Sequence, residues 1–274
     1  MAAARSHVFL MCPPEYFTVA YIINPWMHGN LRRIDNAVAR QQWRSLYDTL
    51  TDRAVVRLVH PQPGSPDMVF TANAGLVKGK RFVVSRFRYP ERQYEEPYFA
   101  DWFMDRGYEV SLMPRDLPFE GAGDALFDRG EPRLWMAHGH RSIEGAREVL
   151  AERLGIETVL LRLVDTRFYH LDTCFCPLEG GFLLYYPPAF DEASRALVEE
   201  RVPAARRIAV GEEDALAFAC NAVNIDSTVV VNRATPALVQ ALERKGFEVV
   251  QTPLSEFMKA GGSAKCLTLR LDEP

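Results

Sequence analysis

Apolar positions in this chain come in short bursts, separated by polar or glycine-rich stretches, and the bursts recur. Aligned on Phe70, Phe119, Tyr169 and Ala219, the pattern repeats after 49, 50 and 50 residues, and Lys265 follows 46 residues later. Each of these positions opens a polar or glycine-containing motif that runs into a strand-length apolar stretch. Strands are predicted at Gly75–Val77, Ala125–Phe127, Cys174–Pro177, Thr228–Val231 and Leu267–Leu271. A second strand follows each of the first three, at Arg81–Arg86, Arg133–His138 and Gly181–Tyr186. Gly79, Gly130 and Gly180 stand in the intervening turns, where glycine tolerates positive φ.

Apolar residues then shift to three- and four-residue steps, which predicts helices over Glu95–Arg106, Ser142–Leu154, Asp191–Val202 and Thr235–Lys245. Ser142 and Thr235, the latter followed by Pro236, suit N-cap positions, and Gly107, Gly155 and Gly246 suit the residue past a helix end. A short strand closes each unit: Glu109–Met113, Thr158–Val164, Arg207–Val210 and Glu248–Thr252. The N-terminal piece carries the same parts in permuted order, as strand Val8–Met11, helix Asp35–Leu50 and strand Val55–Val59. Its first strand can pair with Leu267–Leu271 to complete a fifth unit. With no Pro/Gly/Ser-rich linker in between, residues 1–274 read as one closed domain of five ββαβ units. An ordinary α/β protein would also alternate strands and helices. What sets this chain apart is that its polar motifs fall in the same slot of every unit, and a radially repeated fold brings equivalent slots to its axis.

Composition narrows the class. Of 274 residues 48% are hydrophobic and 25% charged, which excludes disorder, collagen and coiled coil. A net charge of −4, with Lys and Arg scattered, gives no footprint for nucleic acid. No apolar run approaches the roughly 18 residues of a membrane span, and Met1–Met11 lacks the pattern of a signal peptide. Five cysteines at irregular spacing do not make a disulfide framework, so a soluble, cytoplasmic protein is expected.

The slots hold Asp67-Met-Val-Phe70-Thr-Ala-Asn73, then Phe119-Glu120-Gly-Ala-Gly-Asp124, Tyr169-His170-Leu-Asp172-Thr, Ala219-Cys220-Asn221 and Gly261-Gly-Ser-Ala-Lys-Cys266. A cysteine, a histidine and several carboxylates meeting in one pocket can perform nucleophilic catalysis with acid–base help. Singly each is bland: a strand-edge cysteine is usually a small buried apolar residue, and Glu-Gly-Ala-Gly-Asp could be a turn.

Taken together, in this order and spacing, these motifs resemble the guanidine-modifying superfamily, which includes arginine deiminases, dimethylarginine hydrolases and glycine amidinotransferases. The resemblance covers essentially the whole chain and implies an α/β five-bladed pseudo-symmetric propeller of ββαβ units, the pentein fold. Ile23-Asn24-Pro25-Trp26-Met27, together with Asn73, is most similar to the arginine dihydrolase branch, which takes arginine to ornithine, ammonia and CO2.

The resemblance implies that Cys266 is the nucleophile, forming a covalent thiouronium intermediate, and that His170 protonates departing ammonia and then activates water. Glu120 and Asp172 would hold the planar guanidinium, for which bidentate acceptors are the complement. Asp67 and Asp124 would bind or orient, or serve the structure alone, and Phe70 would offer a ring face or pack in the core. Arg92 and Arg141 match arginines that bind the substrate α-carboxylate, and Asn24 matches a substrate contact of the dihydrolase-like branch. His138-Gly-His140 lacks further metal ligands at useful spacing, Cys174-Phe-Cys176 lacks a second cysteine pair, and the glycines fit no phosphate loop. No metal and no cofactor is implied. The expected partner is a small guanidine such as L-arginine, with neither nucleic acid nor membrane involved, and a homo-oligomer is open. The competing readings are a deiminase making citrulline, a dimethylarginine hydrolase, an amidinotransferase and, outside enzymes, a ribosome-binding protein of the same fold.

Overall fold

The computed structural model describes residues 7–273; the start of the chain, read above for a leader, lies outside them up to Arg5 and Ser6. Five three-stranded sheets are present, and all five have the same wiring. The first strand runs antiparallel to the second, and the second runs parallel to the third. A parallel pair cannot be closed by a tight turn, so a helix must cross over between its strands.

Blade one uses Gly75–Lys78, Arg81–Val84 and Glu109–Leu112, with helix Glu96–Met104 as its crossover. Blade two uses Ala125–Phe127, Arg133–His138, helix Ala146–Leu154 and Glu157–Arg162. Blade three uses Phe175–Leu178, Phe182–Tyr185, helix Glu192–Arg201 and Arg207–Ala209. Blade four uses Val223–Ile225, Thr228–Val231, helix Pro236–Glu243 and Glu248–Gln251. Blade five joins the two ends of the chain: Val8–Met11 lies between Leu269–Arg270 and Val55–Leu58, with helix Asn36–Thr51 crossing over. The five-bladed α/β propeller expected from the repeat and the resemblance is the fold of this chain.

Burial grades outward in each blade. The first strands are buried, whereas Glu109–Leu112 and Glu248–Gln251 are half-buried in the middle and exposed at both ends. An axial cavity of about 40 Å³ is lined by residues of all five first strands, among them Val77, Leu126, Cys176, Val223 and Leu269. Helix ends follow local chemistry. Asp35 accepts from the Ala37 and Val38 amides, Thr235 from Leu238, and Gly155 ends its helix at φ 60°.

Two sequence expectations are corrected. Thr228–Val231 is the second strand of blade four, not the first; Val223–Ile225 precedes it. The turn between them places Asp226 at φ 50°, and with no glycine there the hairpin carries no sequence mark. Ser142 is not an N-cap, because the helix starts at Ala146. Its hydroxyl donates instead to Asp124 Oδ2 at 2.6 Å, inside the site.

Leu10, fully buried in the closing strand, tests how far blade five supports the ring. Leu10→Ala is expected to cost roughly 2–5 kcal/mol, as for other buried leucine truncations, read as a lower urea midpoint at unchanged slope.

Candidate active site

The five slots meet at one end of the axis. Three of them are single 3₁₀ turns, Thr71–Ala74, Gly121–Gly123 and Leu171–Thr173, each running directly or nearly so into its blade's first strand. Such a turn leaves backbone and side-chain polar groups pointing across the axis, and they bond from slot to slot. Asn73 Nδ2 donates to the Glu120 carbonyl at 3.5 Å, and the Leu171 amide to Asp124 Oδ1 at 3.1 Å. Asn221 Nδ2 donates to the Asp172 carbonyl at 2.9 Å, and the Cys266 amide to Asn221 Oδ1 at 3.1 Å. The Ala72 amide donates to the Cys266 carbonyl at 3.1 Å and closes the circle.

Close approach across this ring needs glycine. A Cβ on Gly123 would lie 2.3 Å from Asn73 Nδ2, and one on Gly262 would lie 2.5 Å from the Phe70 ring. The glycines of the second and fifth motifs are therefore packing requirements of the site.

Cys266 is buried and lines a small pocket of about 10 Å³, together with Asn24, Asp67, Phe70, Asn73, Arg92 and Arg141. Its thiol donates toward Asp172 Oδ2 at 3.4 Å, and its sulfur accepts from Asn221 Nδ2 at 3.1 Å. Burial and the Asp172 carboxylate push the thiol well up. Burial lifts the Asp172 carboxyl to about 7, against the pull of the Lys265 charge and of Cys266 and Asn221. The Asp172 carboxylate disfavours a thiolate beside it, so the site favours a neutral thiol.

Glu120 behaves oppositely. Its Oε2 accepts from Arg141 Nη1 at 2.8 Å and lies 2.7 Å from His170 Nε2, while Oε1 accepts from the Arg88 amide at 3.2 Å. Burial alone would raise this carboxyl, but Arg141, His170 and Arg92 outweigh it and hold Glu120 well below the usual range. Among the described residues His170 Nδ1 has no hydrogen-bond partner. Arg141 is itself sandwiched, its guanidinium 4.8 Å from the Tyr89 ring centre and 4.6 Å from that of Tyr169.

Arg92 is held as firmly. Glu95 takes its Nε and Nη2 at 2.9 and 2.8 Å, the Asp67 carbonyl takes Nη2 at 3.1 Å, and Asn73 Oδ1 accepts from Nη1 at 2.8 Å. Asn73 therefore turns its amide nitrogen, not its oxygen, away from Arg92 toward the second slot. Asp67 Oδ2 accepts from Tyr21 at 2.9 Å, and its buried Oδ1 has no partner. Asn24 caps the turn Pro25–Met27 and donates to the Ala260 carbonyl at 3.0 Å. Asp124 stands behind the pocket: its oxygens accept from Leu171 and Ser142, and burial lifts it to about 6 despite His170 and Ser142. Both Asp124 oxygens are engaged in the frame.

Sequence reasoning missed four members of the site. Tyr169 donates to the Gly261 carbonyl at 2.8 Å and floors Arg141. Glu95 grips Arg92, Ser142 bridges Asp124 and the Glu120 amide, and Asn221 contacts the sulfur. Tyr169 and Asn221 were visible as neighbours within the slot motifs; Glu95 and Ser142 sat in stretches that read as helix. A second hollow of about 300 Å³ is lined by Ile22, His28, Tyr89, His140 and Thr166 among others. Arg141 and Tyr169 border both spaces.

A five-bladed ring with a buried cysteine, a histidine and carboxylates at its axis defines a guanidine-modifying protein. A family model described as N,N dimethylarginine dimethylhydrolase, eukaryotic, matches residues 23–272, and the chain belongs to that family. It is 57% identical over 266 residues to the bifunctional arginine dihydrolase/ornithine cyclodeaminase AgrE of Nostoc sp., covering 97% of this chain and 38% of that protein. The chain thus spans about two fifths of that relative, and the same holds for ArgZ of Synechocystis sp., 55% identical. The N(G),N(G)-dimethylarginine dimethylaminohydrolase of Mycobacterium tuberculosis is 41% identical, with 97% of this chain and 86% of that protein covered. Among solved structures, the N-terminal domain of ArgZ, a cysteine-to-serine variant bound to substrate, superposes with a TM-score of 0.97. It is 54% identical, over 98% of this chain and 99% of that one.

The raised Asp172 carboxyl predicts a pH-dependent stability. Its pKa is higher folded than unfolded, so charging it destabilises the fold fully above about 7 and ceases to matter below the ordinary value of 3.8. Asp172→Asn is expected to be more stable than the parent at alkaline pH, the gap narrowing as pH falls below about 7, measured by urea unfolding across pH.

Proposed function

We propose that this chain is an arginine dihydrolase, a hydrolase acting on the guanidino C–N bonds of L-arginine to yield L-ornithine, CO2 and ammonia. The observation that carries the reading is the contact of Cys266 with Asp172, in a pocket whose first slot presents an amide, Asn73. The names of AgrE and ArgZ, and the solved ArgZ domain described as an arginine dihydrolase with substrate bound, support it. The proposal treats residues 1–274 as one catalytic domain working in the cytoplasm on a free small molecule; among the described residues no helix is long and apolar enough to cross a membrane.

A guanidinium beside Cys266 supplies the positive charge that the resting site lacks there. It stabilises both the thiolate and ionised Asp172, so the substrate activates its own nucleophile. The thiol gives its proton up to His170 as the sulfur bonds to the guanidinium carbon; a terminal C–N bond breaks, and His170 passes that proton to the leaving nitrogen. Water then attacks the carbon with His170 taking its proton, and the S–C bond breaks to leave citrulline. In a second round the sulfur attacks the ureido carbon, ammonia leaves, and water releases a carbamate that splits into ornithine and CO2. The balance is arginine plus two waters to ornithine, CO2 and two ammonia.

Asn73 favours the second round. A carboxylate there would prefer a cationic guanidinium over a neutral ureido group, whereas an amide is neutral and directs N–H groups inward. Glu120 and Asp172 receive the guanidinium, with Phe70 alongside. Arg141, and Arg92 in part, receive the α-carboxylate, Asn24 holds the rim, and the unpartnered Asp67 oxygen suits the α-ammonium. Asp124 acts by fixing the His170 turn. The name of the mycobacterial relative favours one second reading, a dimethylarginine hydrolase, which would release dimethylamine and stop at citrulline.

Product analysis with arginine decides. Ornithine with two ammonia per arginine is expected; citrulline as sole product would exclude the dihydrolase. Cys266→Ser should lower ammonia release at least a thousandfold while the fold persists, a hydroxyl being a much poorer nucleophile at neutral pH. Asn73→Asp should raise the citrulline-to-ornithine ratio about tenfold or more even as total turnover falls, read by chromatography of the amino-acid products.

A further inference from the structure

We propose that Asn221 is a further catalytic residue of this reaction, its side-chain amide donating the hydrogen bond that holds the Cys266 sulfur as a thiolate. The inference rests on the reading of Cys266 as nucleophile.

Asn221 fills the fourth slot, where the motif offers no charged or nucleophilic group, and it is fully buried. All of its amide is used. Nδ2 donates to the Cys266 sulfur at 3.1 Å and to the Asp172 carbonyl at 2.9 Å. Oδ1 accepts from the Ser263 and Cys266 amides, both at 3.1 Å. The orientation of the amide is therefore forced. Rotating it by half a turn would aim Oδ1 at a carbonyl and Nδ2 at two N–H groups, leaving both unsatisfied at a buried position.

The sulfur faces two side-chain polar groups with opposite tasks. Asp172 can only receive the thiol proton or repel the thiolate that follows its loss. Asn221 cannot take a proton and keeps its own. As the sulfur becomes anionic the N–H···S contact turns charge-assisted, and the low-polarity surroundings strengthen it. An aspartate would supply the two acceptor functions without either donor. A serine would supply one donor and reach fewer partners. Only asparagine places two donors and an acceptor for two amides on one short rigid plane.

The same amide also ties the nucleophile's loop to blade four, so a purely structural role must be separated from the proposed one. Asn221→Asp keeps the oxygen that accepts from Ser263 and Cys266 and removes the donor to sulfur, but adds a charge that itself disfavours the thiolate. Asn221→Ala removes donor and acceptor with no added charge, so the two variants are read together. The readout is the pH–rate profile for alkylation of Cys266 in the full chain by chloroacetamidine, a small amidinium electrophile. An Sγ–C bond forms, chloride leaves, and intact mass with peptide mapping assigns the site. The midpoint is expected to rise by about one pH unit or more in both variants, with at least about tenfold slower alkylation near pH 7. Asn221→Asp should be affected no less than Asn221→Ala, its added charge acting on top of the lost donor. If Asn221→Ala keeps the parent profile, so that only the added charge of Asn221→Asp moves the midpoint, or if the profile shifts only in Asn221→Ala in step with lost stability, the donor role is wrong. A parent that turns arginine over normally beside such a result keeps the proposed function intact. A parent whose Cys266 is not alkylated, and whose Cys266→Ser variant still releases ammonia, loses the nucleophile and this proposal together.

Discussion

The ring of hydrogen bonds between the five slots is the joint on which the molecule turns. Each blade alone presents an open end with unpaired amides and carbonyls; only its neighbours can satisfy them, and only when all five are present does the last bond, from Ala72 to Cys266, find its partner. Buried polar groups left unmatched are costly, so the ring makes the blades interdependent. It also explains the glycines: side chains at 123 and 262 would collide with Asn73 and Phe70 and force neighbouring slots apart. Specificity of fold and geometry of chemistry thus come from one set of contacts.

Within that frame, charge is arranged by contrast. Asp67, Glu95, Glu120, Asp124 and Asp172 are all buried, and burial pushes every one upward. Glu120 escapes because Arg141 and His170 converge on the same oxygen. Asp172 has no such contact, with Lys265 as its compensating charge, and stays near 7. Two carboxylates on neighbouring slots therefore stand in different states: one ionised and already paired, the other short of a balancing charge.

Much of this was legible in the chain because the slots repeat. Spacing brought Glu120, His170, Asp172 and Cys266 together, and turn glycines marked three hairpins. Where marks were absent the reading slipped. The hairpin at Asp226 uses a non-glycine residue at positive φ, so Val223–Ile225 went unseen. Ser142 resembled a helix cap because a capping serine and one bonded to a buried carboxylate look alike in sequence; only the start of the helix at Ala146 separates them. Glu95 was hidden for a different reason. Its importance lies in a bidentate grip on Arg92 three residues earlier, and a Glu near a helix start usually faces water.

Arg141 carries a guanidinium, the group on which the proposed reaction acts, and it rests on Glu120 beside two aromatic rings. Its charge is matched by that one carboxylate, and a buried cation deprived of its anion is costly. Under the proposed reaction, a substrate guanidinium drawn to Glu120 would compete with Arg141 for the same oxygen, and a substrate carboxylate would give the arginine a replacement anion. A ligand bearing both groups would settle the two demands in one exchange, whereas a ligand with either alone would leave one partner stranded.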